Sequence, residues 1–229
     1  MRTLAVLPVK SFAAAKQRLS ESLGTGARRA LAQAMASDVL TALRHVRGLD
    51  AIVVVTADRG LEHVAAGGRV RVLRDRDEAG QSAAAGLGIS LALAEGFERV
   101  LLVPGDTPLL ATSDLEELLQ RAEQRRLAAV IVPDRHGTGT NGLLLTPPDA
   151  IEPSFGPGSL ERHVTAAREA GIAFAVDPIS SLLLDVDTPD DLATLSAGLG
   201  GRHGAAPLTR GALSQLGRAR APDRAPVSA

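Results

Sequence analysis

The feature that most constrains this chain is an alternation of short apolar runs with longer amphipathic stretches. Residues 3–7, 51–56, 70–73, 99–103 and 128–132 are each rich in Val, Leu or Ile and are closed by Pro, Asp or Thr. Runs of that length and composition read as buried strands. Helical patterns lie between them at 27–45, 82–95 and 113–125, and Ser113 with Glu116 three residues on reads as a capping box. Strand and helix in alternation predict an α/β fold with a mostly parallel sheet. Further on, 142–146, 173–176 and 182–186 read as strands and 159–170 as a helix, extending the sheet into a mixed one. Thr188-Pro189-Asp190-Asp191 opens a last helix, with Thr as N-cap, Pro at the first position and acids in the first turn. From Gly200 the periodicity stops, and 200–229 carries +4 against −5 for 1–199. The expectation is a single domain over 1–199 followed by a disordered tail rich in Arg, Ala, Pro and Gly.

Composition narrows the function classes. A chain of 229 residues can bury a substantial core. With no Cys, it has no disulfide framework, thiolate metal site or Cys nucleophile. A net charge of −1 and only 2% aromatic residues argue against nucleic acid as a partner. There is no membrane-length apolar run and no signal-peptide pattern at the N-terminus, so no membrane partner and a cytoplasmic location are expected. Of 25 basic residues only Lys10 and Lys16 are lysines, and Asn141 is the single Asn. A GC-rich coding sequence explains most of that skew and makes these three positions worth locating.

Open α/β sheets bind ligands beyond the carboxyl ends of their strands, so the segment after each strand carries the information. After the first come Lys10, Lys16 and Arg18, two ammonium groups and a guanidinium suited to clamp a polyphosphate, or else a solvated basic loop. After the fourth comes Pro104-Gly105-Asp106-Thr107-Pro108, where Asp106 either holds Mg²⁺ or makes a turn. Asp185 and Asp187 stand two apart, so either they point the same way in a strand and share a metal with Asp106, or Asp187 simply leads into the helix cap. Oxygen-only ligands favour Mg²⁺ over zinc, and the five His have no metal-ligand spacing. Gly137-Thr138-Gly139-Thr140-Asn141-Gly142 matches G-x-G-x-x-G only formally. It sits mid-chain and runs into an apolar strand, so it is read as an anion loop or a turn rather than a dinucleotide fingerprint. The loop from Phe155 through Gly156 to Ser159, leading into a helix, is a second anion candidate. Gln81, with Ser82 beside it, starts the helix after the third strand and either meets a base edge or caps the helix.

Cations, two acidic sites and two Gly-rich loops on one sheet edge fit nucleotidyl transfer, in which cations and metal neutralise charge at the α-phosphoryl group and the leaving pyrophosphate. An acceptor that is itself a phosphate needs no general base, which suits a site with no evident His base.

The ordered series PVKxxxxAKxRL, GDTPLL, GTGTN, FGPGSxxRH and LDVDTPDDL resembles the CofC/FbiD family of guanylyltransferases of coenzyme F420 biosynthesis, over about residues 1–197. The resemblance implies a nucleotidyltransferase-A-like (GT-A, Rossmann-like) fold, GTP as co-substrate, and a three-carbon phospho-acid acceptor: phosphoenolpyruvate, 2-phospho-L-lactate or 3-phosphoglycerate. It implies Asp106, Asp185 and Asp187 as Mg²⁺ ligands and Lys10 as a phosphate contact. It makes Thr140, Asn141, Gly156 and Ser159 the acceptor's cradle. The product would be a guanosine diphospho-ester passed to the next enzyme of that pathway, with homodimerisation left open. Asn141 departs from the Thr-Thr often found in phosphoenolpyruvate-using bacterial members and is similar to the archaeal pattern. The competing readings are a sugar-phosphate nucleotidyltransferase or metal-dependent glycosyltransferase on a related fold, and a non-catalytic GTP-binding module.

Overall fold

Each run expected as a buried strand between residues 3 and 132 is a strand in the computed structural model, which describes residues 1–12, 16–61, 68–201 and 204–220. These are β1 (Thr3–Val9), β2 (Ala51–Thr56), β3 (Val70–Arg74), β4 (Arg99–Leu102) and β5 (Ala129–Pro133). With β6 (Thr140–Leu145) and β7 (Phe174–Val176) they form one seven-stranded sheet in the order β3-β2-β1-β4-β6-β5-β7. β1 pairs in parallel with β2 and β4, β2 with β3, and β5 with β7, while β6 runs antiparallel to both its neighbours. The fold is thus α/β with a mostly parallel mixed sheet.

Successive residues of a strand face opposite ways, and both faces of this sheet are covered. Ala5, Leu7 and Val9 of β1 pack with Val39, Leu40 and Leu43 of α1 (Thr25–His45) and Leu115 and Leu118 of α3 (Thr112–Gln124). Leu4 and Val6 turn to the other face, against Ala84, Ala85 and Ile89 of α2 (Gln81–Ala94) and Ala167 of α4 (Ser159–Glu169). Burial of each such Leu or Val stabilises the fold by roughly 1.5–3 kcal/mol. Helix α2 lies close on the sheet at Gly88, where an added Cβ would stand 2.4 Å from Val6 Cγ1.

Strand β1 is where the order reverses: β2 and β3 step outward on one side and β4 on the other. A crevice opens at the carboxyl ends of strands at such a reversal. Because β6 is antiparallel to β4, its first residues, Thr140 and Asn141, arrive at that same edge.

Three local expectations need correction. Residues 182–186 are not a strand. Leu182 is buried under one face of the sheet, while Leu184 and Val186 join a separate cluster with α1, so the apolar alternation reflects two cores rather than a ladder. Helix α3 starts at Thr112, leaving Ser113 inside it, and Glu116 turns to Arg47 (2.7 Å) instead of closing a capping box. The segment from Gly200 is not all tail. Helix α5 (Pro189–Gly201) runs into it, and α6 (Pro207–Arg220) docks on α1. Asp38 of α1 caps α6 from outside, accepting from the backbone amides of Leu208 (3.2 Å) and Thr209 (2.8 Å) and from the Thr209 hydroxyl (2.6 Å). The cap that this helix needs at its first turn lies on another helix. Residues 221–229 lie outside the described residues. Among the described residues no helix is long and apolar enough to cross a membrane.

Candidate active site

A cleft of about 680 Å³ opens at the carboxyl ends of β1 and β4. Lys10, Lys16, Gln81, Asp106, Thr140, Asn141, Gly156, Ser159, Asp185 and Asp187 all line it, as does Arg18. Ser82 does not line it. Its hydroxyl accepts from the Phe155 amide (2.8 Å) and so ties the 154–158 loop to α2.

One end of the cleft is charged. Asp106 follows β4, and its carbonyl accepts from the Val186 amide (3.1 Å), a bond that draws the 185–187 segment against it. Asp106 and Asp187 meet through Lys16, whose ammonium lies 2.6 Å from Asp106 Oδ2 and 2.9 Å from Asp187 Oδ1. Lys16 takes a left-handed backbone conformation (φ 54°), and its side chain is only 7% exposed. Burial pulls its pKa down, but the charges of Asp106 and Asp187 outweigh that and leave it raised. Asp185 is pushed the opposite way for a carboxylate: burial first, then the Asp106 charge, raise its pKa against a hydrogen bond from Asn141. Lys10 lines the cleft with no ion-pair partner among the described residues.

Asp106, Asp185 and Asp187 line the same cleft, though 185–187 is not a strand. Oxygen-only donors suit a hard divalent cation in kind. As the side chains stand, Lys16 occupies the space between Asp106 and Asp187. Among the described residues no three acidic or His groups surround one point closely enough to hold a metal.

The other end is neutral. Gly156 (φ 107°) turns the loop that leads into α4, and Ser159 is the first residue of that helix. Ser159 Oγ is buried with no hydrogen-bond partner. Thr140 Oγ1 meets His163 Nδ1 at 3.0 Å. Asn141 is differently employed than its place in the cradle suggested. Its amide donates to the Leu182 carbonyl (2.9 Å), the Leu183 carbonyl (3.1 Å) and Asp185 Oδ1 (3.1 Å), so it holds the 182–185 segment in place of a strand ladder.

The sequence reading missed three residues. Asp134 organises the Gly-Thr loop by accepting from the amides of His136 (3.1 Å) and Thr138 (2.9 Å). Burial would raise its pKa, but the amides of Thr138, Gly139 and His136 hold it low. Arg162 clamps the 154–158 loop through the Ser154 hydroxyl (2.8 Å) and carbonyl (2.9 Å). His163 is wholly buried and joins Thr140 to that loop. The signal available was spacing: Ser159 and His163 stand four apart on one helix face.

The family described as guanylyl transferase CofC like matches residues 3–227. A phosphoenolpyruvate guanylyltransferase of Conexibacter woesei is 51% identical, over 94% of this chain and 97% of the relative. A 2-phospho-L-lactate guanylyltransferase of Methanothermobacter thermautotrophicus is 35% identical, over 85% and 84%. Among solved structures, one from Desulfovibrio desulfuricans G20, assigned to the nucleotide-diphospho-sugar transferases, superposes with a TM-score of 0.72. It is 19% identical, over 95% of this chain and 98% of that one, and it speaks to fold alone.

Proposed function

The chain belongs to the CofC-like guanylyl transferase family, and from that premise we propose that it transfers the GMP moiety of GTP to phosphoenolpyruvate, releasing pyrophosphate. The observation that carries this reading is the make-up of this cleft: a buried ammonium between two carboxylates at one end, and a buried hydroxyl without a partner at the other. The first suits a triphosphate and its metal, the second an anionic acceptor.

In the reaction an oxygen of the acceptor's phosphate forms a bond to the α-phosphorus of GTP. The bond from that phosphorus to the β-phosphate's bridging oxygen breaks, and pyrophosphate leaves with the electron pair. The acceptor oxygen is already anionic near pH 7, so no base need remove a proton. Lys10 and Lys16 stabilise the charge that spreads over the α-phosphoryl group and the leaving pyrophosphate. Asp106, Asp185 and Asp187 would hold Mg²⁺, which supplies further charge neutralisation when bound. Thr140 and Ser159 meet the acceptor, and Gln81, which lines the cleft at the start of α2, is the candidate for the guanine.

Phosphoenolpyruvate is preferred over 2-phospho-L-lactate because the 51% identical relative carries that name across nearly its whole length. Asn141 gives no counter-argument, since its amide is engaged by Leu182, Leu183 and Asp185. The product, a guanosine diphospho-ester of a three-carbon acid, would pass to the next enzyme of coenzyme F420 biosynthesis. The test is pyrophosphate release from GTP and Mg²⁺ with phosphoenolpyruvate, 2-phospho-L-lactate or 3-phospho-D-glycerate. Fastest turnover with phosphoenolpyruvate is expected, and folded protein inert with all three overturns the reading.

A further inference from the structure

We propose that His163 is a positioning residue that fixes the Thr140 hydroxyl as a hydrogen-bond donor toward the acceptor's anionic group. This rests on reading the neutral end of the cleft as the phospho-acid site.

A backbone amide decides the polarity. The Ser154 N–H can only donate, and it meets His163 Nε2 at 2.8 Å. Nε2 is therefore the bare, accepting nitrogen, and in the neutral ring the proton sits on Nδ1. Nδ1 lies 3.0 Å from Thr140 Oγ1, so Nδ1–H donates and the hydroxyl oxygen accepts. The hydroxyl's own proton then has to go elsewhere, and no other described residue takes it. Thr140 lines the cleft, which is where that proton is free to go.

Three further features hold the ring in this state. It is 0% exposed. Burial, and after it the neighbouring Arg162 charge, lowers its pKa to about 4, so it is neutral at pH 7. Phe155 packs edge-on against it with centroids 5.3 Å apart. One turn earlier on α4, Ser159 also lines the cleft, and its buried hydroxyl lacks a partner. A buried hydroxyl left alone is unfavourable, and a ligand oxygen removes that cost. A Thr140 hydroxyl held as a donor favours an anion over a cation there, and the free Ser159 hydroxyl is able to donate to the same anion. With the opposite tautomer, Thr140 would donate to His163 and turn its lone pairs on the acceptor. Imidazole polarity, rather than ring shape, decides attraction or repulsion.

Two conservative variants separate the ring's two hydrogen bonds. His163→Asn keeps a donor near the Nδ1 position, and His163→Gln keeps an acceptor near Nε2 without the donor. With phosphoenolpyruvate, His163→Gln is expected to raise the acceptor KM about 10-fold and His163→Asn less than about 3-fold, with the KM for GTP held in both. In a Thr140→Val background the Gln substitution should add nothing. Equal effects of the two variants, or a Gln effect that persists without the Thr140 hydroxyl, overturns the proposal. Because both variants alter a buried site, nitrogen-15 spectra of the wild-type imidazoles at pH 7 provide a second measurement. A pyrrole-like Nδ1 and pyridine-like Nε2 for His163 are expected, and the reverse pattern or a protonated ring overturns the proposal. A wild-type protein that turns over no phospho-acid instead overturns the functional reading and, with it, the acceptor role. The spectra read the ring independently, so the two failures are distinguishable.

Discussion

At one end of the cleft Lys16 sits between Asp106 and Asp187, 2.6 and 2.9 Å away. At the other, a neutral His163 sets the Thr140 hydroxyl, and the Ser159 hydroxyl is buried without a partner. The first end holds charges of both signs that satisfy one another until substrate and metal compete for them. The second is incomplete on its own, because a buried donor waits for an oxygen the protein does not provide. The difference teaches that charge handling and anion selection need separate machinery. Formal charge stabilises a spreading negative charge, whereas oriented neutral donors recognise a small anion without also attracting a metal.

Removing a carboxylate is the largest expected break in that comparison. Asp106→Ala should cost about 100- to 1000-fold in turnover, in the range found when a transition-state stabiliser is lost, while the folded circular-dichroism spectrum is kept. Steady-state pyrophosphate release checks it, and near-wild-type turnover would remove Asp106 from the reaction.

The neutral end should instead fail in acid. The folded pKa of His163 is lowered to about 4 from an ordinary value of 6.5, so the unfolded chain binds the proton more readily. Its contribution to stability is fully present above about pH 6.5 and is lost as the pH falls from there to about 4, on the order of 3 kcal/mol in all. Urea midpoints between pH 7 and pH 4 should show this loss in the wild type and much less of it in His163→Gln. Identical pH slopes would place the acid sensitivity elsewhere.

A finer probe of the charged end is Lys10→Arg. A planar guanidinium does not replace a compact ammonium at a phosphate, and about a 10-fold loss in turnover, roughly 1.4 kcal/mol, is expected. Unchanged activity would return Lys10 to the basic-loop reading. The smallest effect is expected away from both ends. Asp38→Ala removes the outside cap of α6 and should cost about 1–2 kcal/mol of stability without changing KM for either substrate. Hydrogen exchange at the Leu208 and Thr209 amides reads it directly, and a changed acceptor KM would join α6 to the cleft.

Much of the fold was legible because strands buried on both faces write themselves locally as apolar runs: β2 falls where expected, and the ends of β1 and β3–β5 differ by two residues at most. The sheet edge where the cleft opens followed from the same pattern, and all the site residues named from sequence except Ser82 line that cleft. What could not be read was partnership. Lys16 looked like a free cation for phosphate and is clasped by two of the carboxylates assigned to metal. Ser82 looked like a substrate contact and anchors a loop. Asn141 looked like an acceptor contact and replaces a missing ladder. The 200–229 segment looked solvated because its few apolar residues show no sustained period, yet Ala206 and Thr209 are buried on α1.

The sequence by itself determined which strand ends would carry cations, acids and turning glycines, since that information lies within a few residues of each strand. Only the tertiary structure decided which of those groups are already matched within the chain. Asp38 meets Thr209 across 171 positions, Lys16 meets Asp187 across 171, and Thr140 meets His163 across 23. Hydrogen bonding is short-ranged and directional, so whether a group is free for a ligand depends on atoms a few ångströms away in space, which neither composition nor spacing records.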